Sequence, residues 1–564
     1  MNQRTRIWIN VTTSANWNRP AVGIVRVERA LVEHLQNQFG IETCKLCIWR
    51  DDRFVEWVPP LSGVSTRVSR AVDTLVPRGP SFDVVRPFLL RAFEKFSRTT
   101  RDEDRSSDEL HIDLPISNVA PLEPAPRDFL LSVGLDWEYP FTRQFYEIAK
   151  KQGLRIITCC YDLIPVLFPQ YCVGEVAQRF TEYFLELSWG SEAVVCISEQ
   201  TRRDYIRLCD ELGAPARKAV VIPLGDNLPS GETEIGEHVR SVTEAPYILF
   251  VSTIERRKNH EVLYRAYHLL MRNDSSGILP KLVFVGMQGW GVGDLMKDIE
   301  IDPLTKGLIV QLHHVSDAEL AFLYRHALFC VFPSLYEGWG LPVGEALAMG
   351  KLVISSGEGS LPEVGGDLVH YLPAWNPYEW ADTIRKYVDN PDKIRDAEQK
   401  VRARYKPHQW SDTARTVREL IVELAAKEQT GEFDLYPGYD LSTLCGMHCG
   451  PSIRTTGHGG LLLFGPHRAL TKGVYYVNVQ GSLIDSHVGS ITVEVASAGG
   501  NVRHFSQVYD LSYNGERVAI DLSFVLEQDI SDFEIKCEIP KSAALQFDRI
   551  TVCPGQRRAL LDVG

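Results

Sequence analysis

The chain has no run of about 18 consecutive apolar residues, so no membrane-spanning helix is expected. Its start, Met1 to Val11, holds one short apolar stretch interrupted by Asn10 and followed by Thr12 and Thr13, which does not fit a secretory signal. Positive charge is in deficit: 60 Lys plus Arg stand against 73 Asp plus Glu, a formal charge of −13. Neutralising a phosphate backbone needs a basic face, so no nucleic-acid partner is expected. The 12 cysteines are scattered, as in a reduced cytoplasmic protein. Cys44-Lys45-Leu46-Cys47 is a lone C-x-x-C in an alternating, strand-like stretch, and Cys445 and Cys449 flank His448. Without a second well-spaced pair, both read as structural thiols rather than zinc ligands. No short-period internal repeat is found. What remains is globular composition, 44% hydrophobic and 24% charged, which rules out a mostly disordered chain. At about 150 residues per domain, the length suggests roughly three or four domains.

The first half alternates short β-branched runs with helical patterns. Strands are predicted at Arg6–Asn10, Phe129–Val133, Arg155–Cys160, Ala193–Ile197 and Ala219–Ile222, and a helix over Gly23–Leu35 from its three- and four-residue apolar spacing. This βαβ rhythm implies a mainly parallel sheet covered on both faces. A charged, Pro-rich stretch near 97–127 reads as an insertion. Leu228 to Ala245 is polar, with Pro229, Gly231 and Gly236, and reads as a linker. The rhythm then restarts, with strands at Tyr247–Val251, Leu282–Val285, Leu308–Leu312, Leu328–Phe332, Leu352–Ser355 and Val369–Leu372. Two doubly wound units facing each other form a cleft, with ligands at the carboxyl ends of the strands. After about Gln429, runs such as Gly473–Val479, Val518–Phe524 and Ile530–Ile539 are separated by turn residues, which predicts an all-β sandwich.

Two segments carry the chemistry. In Val331 to Gly350 (VFPSLYEGWGLPVGEALAMG) a buried strand meets a Gly-rich turn and a helix start near Pro342. Glu345 is expected in the first helical turn. Free N–H groups there can hold an anion, and Glu337 and Glu345 can accept hydrogen bonds from sugar and ribose hydroxyls. The residues alone equally allow Glu345 to complement the helix dipole and Glu337 to be solvated. In Ser252 to Asn259 (STIERRKN), Arg256, Arg257 and Lys258 follow a strand. They form either a diphosphate-neutralising cluster or a solvated charged turn. Lesser features are His313-His314, read as loop packing, and Trp290 and Trp339, read as cleft aromatics or packing residues. Asp102-Glu103-Asp104 reads as solvated, so no metal site is assigned. Gly286, Gly289, Gly291 and Gly293 fail the dinucleotide register because Asp294 takes the last glycine place, which disfavours an oxidoreductase.

In order along the chain these features resemble the retaining GT-B glycosyltransferases of family four, which include many bacterial mannosyl- and rhamnosyltransferases. Glu337 to Glu345 (EGWGLPVGE) matches the family's E-x7-E motif, and Thr253 to Asn259 (TIERRKN) its arginine–lysine loop. Leu282 to Trp290, Val315 to Leu320 and Leu361 to Val364 also fit, as do Gly23-Ile-Val-Arg26-Val, Cys160 to Pro169, Ile197 to Tyr205 and Ile222 to Asp226. The resemblance covers about residues 5 to 428. It implies an N-terminal Rossmann-like acceptor domain over 1–228 and a C-terminal Rossmann-like nucleotide-sugar domain over 246–428 whose last helix packs back on the first; beyond it, the strand pattern gives a β-sandwich accessory module over 436–564.

The resemblance also implies roles. Glu337, Lys258 and Asp162 are the catalytic candidates. Lys258, with Arg257, would hold the donor diphosphate, Glu345 the ribose, and Glu337 the donor sugar near the reacting carbon. The N–H groups of Gly340 and Leu341 would touch sugar or phosphate, the backbone around Val315 would border the base, and Gly23 would let the first-domain loop approach the diphosphate. Ser252 stands where many members have Arg, which shifts charge to Arg256 or Arg257. Tyr161 stands where many have His before Asp162. Asp162 could orient the acceptor, contact the donor sugar, or cap its loop. No cofactor is expected beyond the nucleotide-sugar donor, with a GDP-sugar favoured over dTDP- or UDP-sugars. The acceptor is expected to be a bacterial surface polysaccharide, such as O-antigen of lipopolysaccharide, or a lipid-linked glycan at the inner face of the cytoplasmic membrane, reached by peripheral contact. The alternative is an inactive glycan-binding scaffold. The terminal module could bind glycan, fix an oligomer or act as a cap.

Overall fold

A computed structural model of the chain describes residues 5–17, 23–57, 119–122, 124–125, 128–145, 147–148, 154–174, 176–214, 217–227, 235–273, 279–429, 433–484, 489–511, 517–541 and 543–555. The segment read as a charged insertion, with Asp102 to Asp104, lies outside these residues apart from its last few positions.

The first sheet contains β1 (Ile7–Asn10), β2 (Cys44–Arg50), β3 (Arg53–Trp57), β4 (Val119–Pro121), β5 (Phe129–Ser132), β6 (Arg155–Cys160), β7 (Ala193–Cys196) and β8 (Lys218–Val221), in the order β4-β3-β2-β1-β5-β6-β7-β8. β1, β5 and β7 are buried along their whole length, as parallel strands covered on both faces must be. From β2 through β8 neighbours run parallel, while β3 and β4 form an antiparallel edge. The β2–β3 turn places Asp51 and Asp52 at φ 50° and 56°. Two consecutive positive φ values are the geometry of a tight hairpin usually signalled by Asn-Gly, so Asp-Asp gave no cue to it.

The second sheet is parallel throughout: β9 (Tyr247–Val251), β10 (Lys281–Val285), β11 (Ile309–Leu312), β12 (Cys330–Phe332), β13 (Val353–Ser356) and β14 (His370–Leu372), ordered β11-β10-β9-β12-β13-β14. The stretch read as a linker is not all linker. Its residues Glu237–Thr243 form a helix that buries Val239 and Val242, and Gly236 N donates to Glu319 of the second lobe at 3.0 Å. Residues 228–234 lie outside the described set. The 20-residue helix Trp410–Gln429 returns to the first lobe. Thr413 Oγ1 donates to Pro223 O at 2.7 Å, and Leu424 O accepts from Arg155 at 2.9 Å.

The terminal module has its own core between two antiparallel sheets. One contains β15 (Phe433–Leu435), β16 (Gly446–Cys449), β17 (Ser452–Thr455), β19 (Gly473–Leu483), β22 (Arg517–Leu526) and β24 (Leu545–Pro554). The other is β18 (Gly460–Leu470), β23 (Ile530–Ile539), β20 (Ser490–Ser497) and β21 (Val502–Asp510). Strand β22 shows strict exposed–buried alternation, the period-2 pattern of a strand with one wet face. Edge strand β21 is mostly exposed and lacks such a pattern, which is why its sequence did not signal it.

One buried carboxylate holds the entry to the first lobe. Asp128, 1% exposed, accepts from Arg6 N at 2.9 Å, Arg6 Nε at 3.0 Å, Trp8 Nε1 at 3.2 Å and Ala125 N at 2.9 Å. Asp128→Ala leaves the buried Trp8 Nε1 without its carboxylate acceptor and removes the ion pair with Arg6, at a cost of about 2–4 kcal/mol. At roughly 2–4 °C per kcal/mol for a lobe of this size, the first thermal unfolding transition should drop by about 4–16 °C. An unchanged transition in a calorimetric scan would show that this carboxylate does not hold the sheet.

Candidate active site

A doubly wound sheet binds ligands where its strand order reverses. In the second lobe that point lies between β9 and β12, and in the first between β1 and β5. The segments leaving these strands carry most of the candidate residues.

After β9 the chain forms a short 3-10 turn at Arg256–Lys258, then Asn259 in the left-handed region at φ 60°, which Asn tolerates. Asn259 Nδ2 donates to Pro333 O at 3.1 Å and to Ala374 O at 2.7 Å, and Leu335 N donates to Arg257 O at 2.8 Å. The basic turn is thus fastened to the segment leaving β12. From the loop after β13, Ser360 Oγ donates to Glu337 O at 3.0 Å and Trp339 O at 2.8 Å, which fixes the Glu337 loop. The loop ends at Gly340, whose φ of 116° is closed to ordinary side chains and starts the helix Leu341–Ala348. Glu345 therefore sits in the second helical turn, not the first, and does not neutralise the helix N-terminus. The N–H groups of Gly340 and Leu341 lie at that N-terminus, where no intrahelical acceptor is available.

The charges form two clusters. In the first, Glu337 Oε1 accepts from Lys258 Nζ at 2.5 Å and its Oε2 pairs with Arg257 at 2.9 Å. Arg257 also donates to Glu255 at 2.8 Å and to Tyr336 O at 2.7 Å. Burial alone would raise the Glu337 carboxyl, but Arg257 and Lys258 outweigh it and hold it at about 2. Burial and the neighbouring Arg257 pull the Lys258 ammonium down, against Glu337. Arg256 is exposed. Ser252 Oγ lies 3.3 Å from His260 Nε2, and burial followed by Lys258 drives that imidazole to about 3, so it is neutral.

The second cluster surrounds Glu345, which is 4% exposed. Its Oε2 accepts from Tyr324 OH at 3.0 Å and its Oε1 from Arg26 Nη1 at 2.7 Å. Arg26 Nη2 bonds Asp317 at 2.6 Å. Burial raises Glu345 against the pull of Arg26 and Tyr324. Lys258 and Glu345 thus belong to different clusters joined by the 338–341 turn. Val315 is half-buried immediately before Ser316, whose capping box with Glu319 starts the helix Asp317–His326.

The first lobe faces these clusters. Gly23 is the exposed N-cap of the helix Ile24–Phe39. Asp162, after β6, accepts from Ile164 N at 3.0 Å; burial raises its carboxyl, opposed chiefly by Arg257. A Cβ on Gly338 would strike Tyr161 O and approach Asp162 Cβ at 2.9 Å, so only glycine lets the Glu337 loop approach the first lobe this closely. Other cross-lobe contacts were not legible in the sequence. Tyr336 OH donates to Asp204 at 2.5 Å, and Glu363 accepts from Glu199 N and Gln200 N, each at 2.7 Å, at the start of the helix Glu199–Leu212. Of the two candidate aromatics, Trp339 is buried, while Trp290 is partly exposed with Nε1 donating to Tyr171 O at 2.8 Å. His314 adopts φ 56° in its loop. Among the described residues, no group of three or more His, Cys, Asp or Glu is arranged to hold a metal ion, and no helix is long and apolar enough to cross a membrane.

At the first-lobe switch point, sequence reasoning missed a pair of buried acids, Glu28 and Asp136. Burial raises both carboxyls to about 7, opposed by Ser14 at Glu28 and by Ser132 and Gly134 at Asp136. Such groups favour the folded state at low pH, and that contribution is lost as pH rises from the ordinary carboxylate range near 4 through about 7. Asp136→Asn removes this penalty while keeping an acceptor. Its melting temperature should exceed the native value at pH 8, with the gap shrinking or reversing at pH 4. Equal gaps at both pH values would contradict the raised carboxyl.

The family model described as Glycosyl transferases group 1 matches residues 232–404. O-antigen chain mannosyltransferase B of Escherichia coli is 30% identical over 218 residues, 38% of this chain and 56% of that protein. The serotype-specific mannosyltransferase WbdA, also of Escherichia coli, is 25% identical over 288 residues, 49% of this chain and 34% of that protein. The chain spans about half, or less, of the length of these relatives. Sucrose-phosphate synthase from Thermosynechococcus elongatus aligns with a TM-score of 0.48 at 19% identity, over 75% of this chain and 100% of that one. In its own topology the chain has two doubly wound lobes, a final helix returning to the first and a terminal β module, the GT-B architecture with an appendage. Residues 232–404, which match the glycosyl transferases group 1 model, carry Lys258, Glu337 and Glu345.

Proposed function

We propose that the chain is a retaining glycosyltransferase that moves mannose, or a related deoxyhexose of the rhamnose type, from a nucleotide-diphosphate sugar to a growing bacterial surface polysaccharide or lipid-linked glycan. The observation that carries this reading is the buried Lys258–Glu337–Arg257 cluster at the second-lobe switch point, facing Asp162 of the first lobe. The names of the Escherichia coli relatives, an O-antigen chain mannosyltransferase and a serotype-specific mannosyltransferase, support mannose and an O-antigen-type acceptor, and GDP-mannose is the favoured donor.

The second lobe, over about 246–428, takes the donor. Lys258 is the cation for the diphosphate, assisted by Arg256 from the rim, by the N–H groups of Gly340 and Leu341, and by the close approach that Gly23 permits from the first lobe. Arg257 is already committed to Glu337, Glu255 and Tyr336 O, so its task is to hold the Glu337 carboxylate and lend charge. Ser252 sits beside this pocket on His260. Glu345 accepts the ribose hydroxyls, and the backbone at Val315 borders the base. Glu337 lies next to the donor sugar ring.

The reaction breaks the bond between the anomeric carbon and the diphosphate oxygen, and the electron pair leaves with the nucleoside diphosphate. The acceptor hydroxyl oxygen bonds to the anomeric carbon on the same face, and its proton passes to the departing phosphate oxygen. Negative charge builds on the diphosphate, where Lys258 and the helix N–H groups stand preorganised to receive it. These groups stabilise the leaving group without a metal ion. The first lobe, over about 1–228, takes the acceptor, with Asp162 orienting it. The chain works in the cytoplasm, in peripheral contact with the inner membrane face, and the terminal module, from about 436, serves glycan contact or oligomer formation.

The test is turnover of GDP-mannose with mannose-terminated, lipid-linked oligosaccharide, followed by GDP release and product mass, with dTDP-rhamnose and UDP-sugars in parallel. Native protein should lengthen the glycan. Lys258→Ala and Glu337→Gln should each lower kcat by about 10²-fold or more, the usual loss on removing one preorganised transition-state contact, with melting temperatures monitored to confirm folding. Full activity in folded Lys258→Ala, or no turnover of any donor by native protein, would overturn the reading and favour a glycan-binding scaffold.

A further inference from the structure

Glu345 is held from both lobes. One helix of the second lobe, Asp317–His326, supplies Asp317 and Tyr324, two turns apart and so on one face. Tyr324 OH takes Glu345 Oε2 at 3.0 Å, and Asp317 anchors one arm of Arg26 at 2.6 Å. The other arm takes Glu345 Oε1 at 2.7 Å. Arg26 belongs to the first lobe, in the opening turn of the helix capped by Gly23. Its guanidinium is only 12% exposed, and Glu345 lies 319 positions further along the chain. A planar fork bonding two carboxylates fixes their orientation in a way a single-point ammonium cannot. Each carboxylate oxygen of Glu345 retains a second lone pair for another donor.

We infer that Arg26 is a positioning residue that couples lobe closure to ribose recognition. It aims Glu345 from across the cleft, so that the nucleoside is gripped fully only when the first-lobe glycine turn is docked on the second lobe. This rests on the glycosyltransferase reading and assigns to the first lobe a share of donor affinity that the two motif segments alone do not contain. Arg26 acts through Glu345 and touches neither the diphosphate nor the anomeric carbon. Its loss should therefore weaken nucleotide binding more than it slows the chemical step.

The test uses the full chain with GDP as the calorimetric probe, GDP-mannose for kinetics and small-angle scattering for lobe closure. Arg26→Ala should weaken GDP about 10-fold, raise KM for GDP-mannose by a similar factor and lower kcat less than about 3-fold, typical of losing one charge-assisted contact. In native protein GDP should compact the scattering profile, and Arg26→Ala should abolish that compaction. Arg26→Lys should recover only part of the loss, and Asp317→Asn, which removes one arm of the fork, should give an intermediate one. Arg26→Ala combined with Glu345→Gln should be no worse than the poorer single variant, because both remove one coupled contact. Unchanged or tighter GDP binding in folded Arg26→Ala, or losses that multiply in the double variant, would overturn the inference while leaving the enzyme reading intact. Native protein that binds none of GDP, UDP or dTDP would remove the donor site itself, and this inference with it.

Discussion

The site depends on one constraint: charge buried in the cleft must be paired. Glu337 is 6% exposed and meets Lys258 and Arg257 with both its oxygens. A lone carboxylate in such a place would gain a proton, and a lone ammonium lose one, rather than stay charged. The mutual pairing keeps Glu337 ionised, and on the proposed reading a dianionic diphosphate arriving beside Lys258 would enter a site whose cations are already desolvated and aimed. Electrostatic preorganisation of this kind is strongest where water is scarce. The surrounding backbone serves the same end. Asn259, Ser360 and Gly340 each fix one segment of the two loops that carry the charges.

The second theme is contact between lobes. Arg26 on Glu345, Glu363 on the first turn of Glu199–Leu212, Tyr336 on Asp204, and Tyr161 against Gly338 all cross the cleft. The helix Trp410–Gln429 adds a fifth link behind it. The Glu337 loop therefore lies between its second-lobe support and the first-lobe surface. Separation of the lobes would leave Glu337 with its cations but remove Arg26 from Glu345, so on the proposed reading diphosphate and ribose contacts would respond differently to opening.

Much of the architecture could be read from the chain. Parallel strands buried on both faces, such as Tyr247–Val251 and Arg155–Cys160, are continuous apolar runs, and their extents agree with expectation because burial leaves little freedom at their ends. The Asp51–Asp52 hairpin and edge strand β21 escaped, since one lacks the usual turn residues and the other lacks a buried face. At the site, the E-x7-E and arginine–lysine segments located Glu337, Lys258 and Glu345. Their partners could not be found that way. Tyr324 reaches Glu345 within the second lobe, while Arg26 reaches Glu345 and Asp317 only because two lobes fold together, and no local spacing records a contact 319 positions apart. The placement of Glu345 in the first helical turn failed because the helix begins only at Leu341, after the positive φ of Gly340. Glu28 and Asp136 were silent because ordinary acidic residues in a helix and a loop give no sign of burial.

The central claim is that a nucleoside diphosphate lies across both charge clusters, and a crystal structure of the full chain with bound GDP-mannose tests it most directly. The account predicts a phosphate oxygen within about 3 Å of Lys258 Nζ and ribose hydroxyls on Glu345 with Arg26 still in place. A nucleotide bound elsewhere, or one whose diphosphate lies away from Lys258 while Glu337 keeps both its cations, would contradict it.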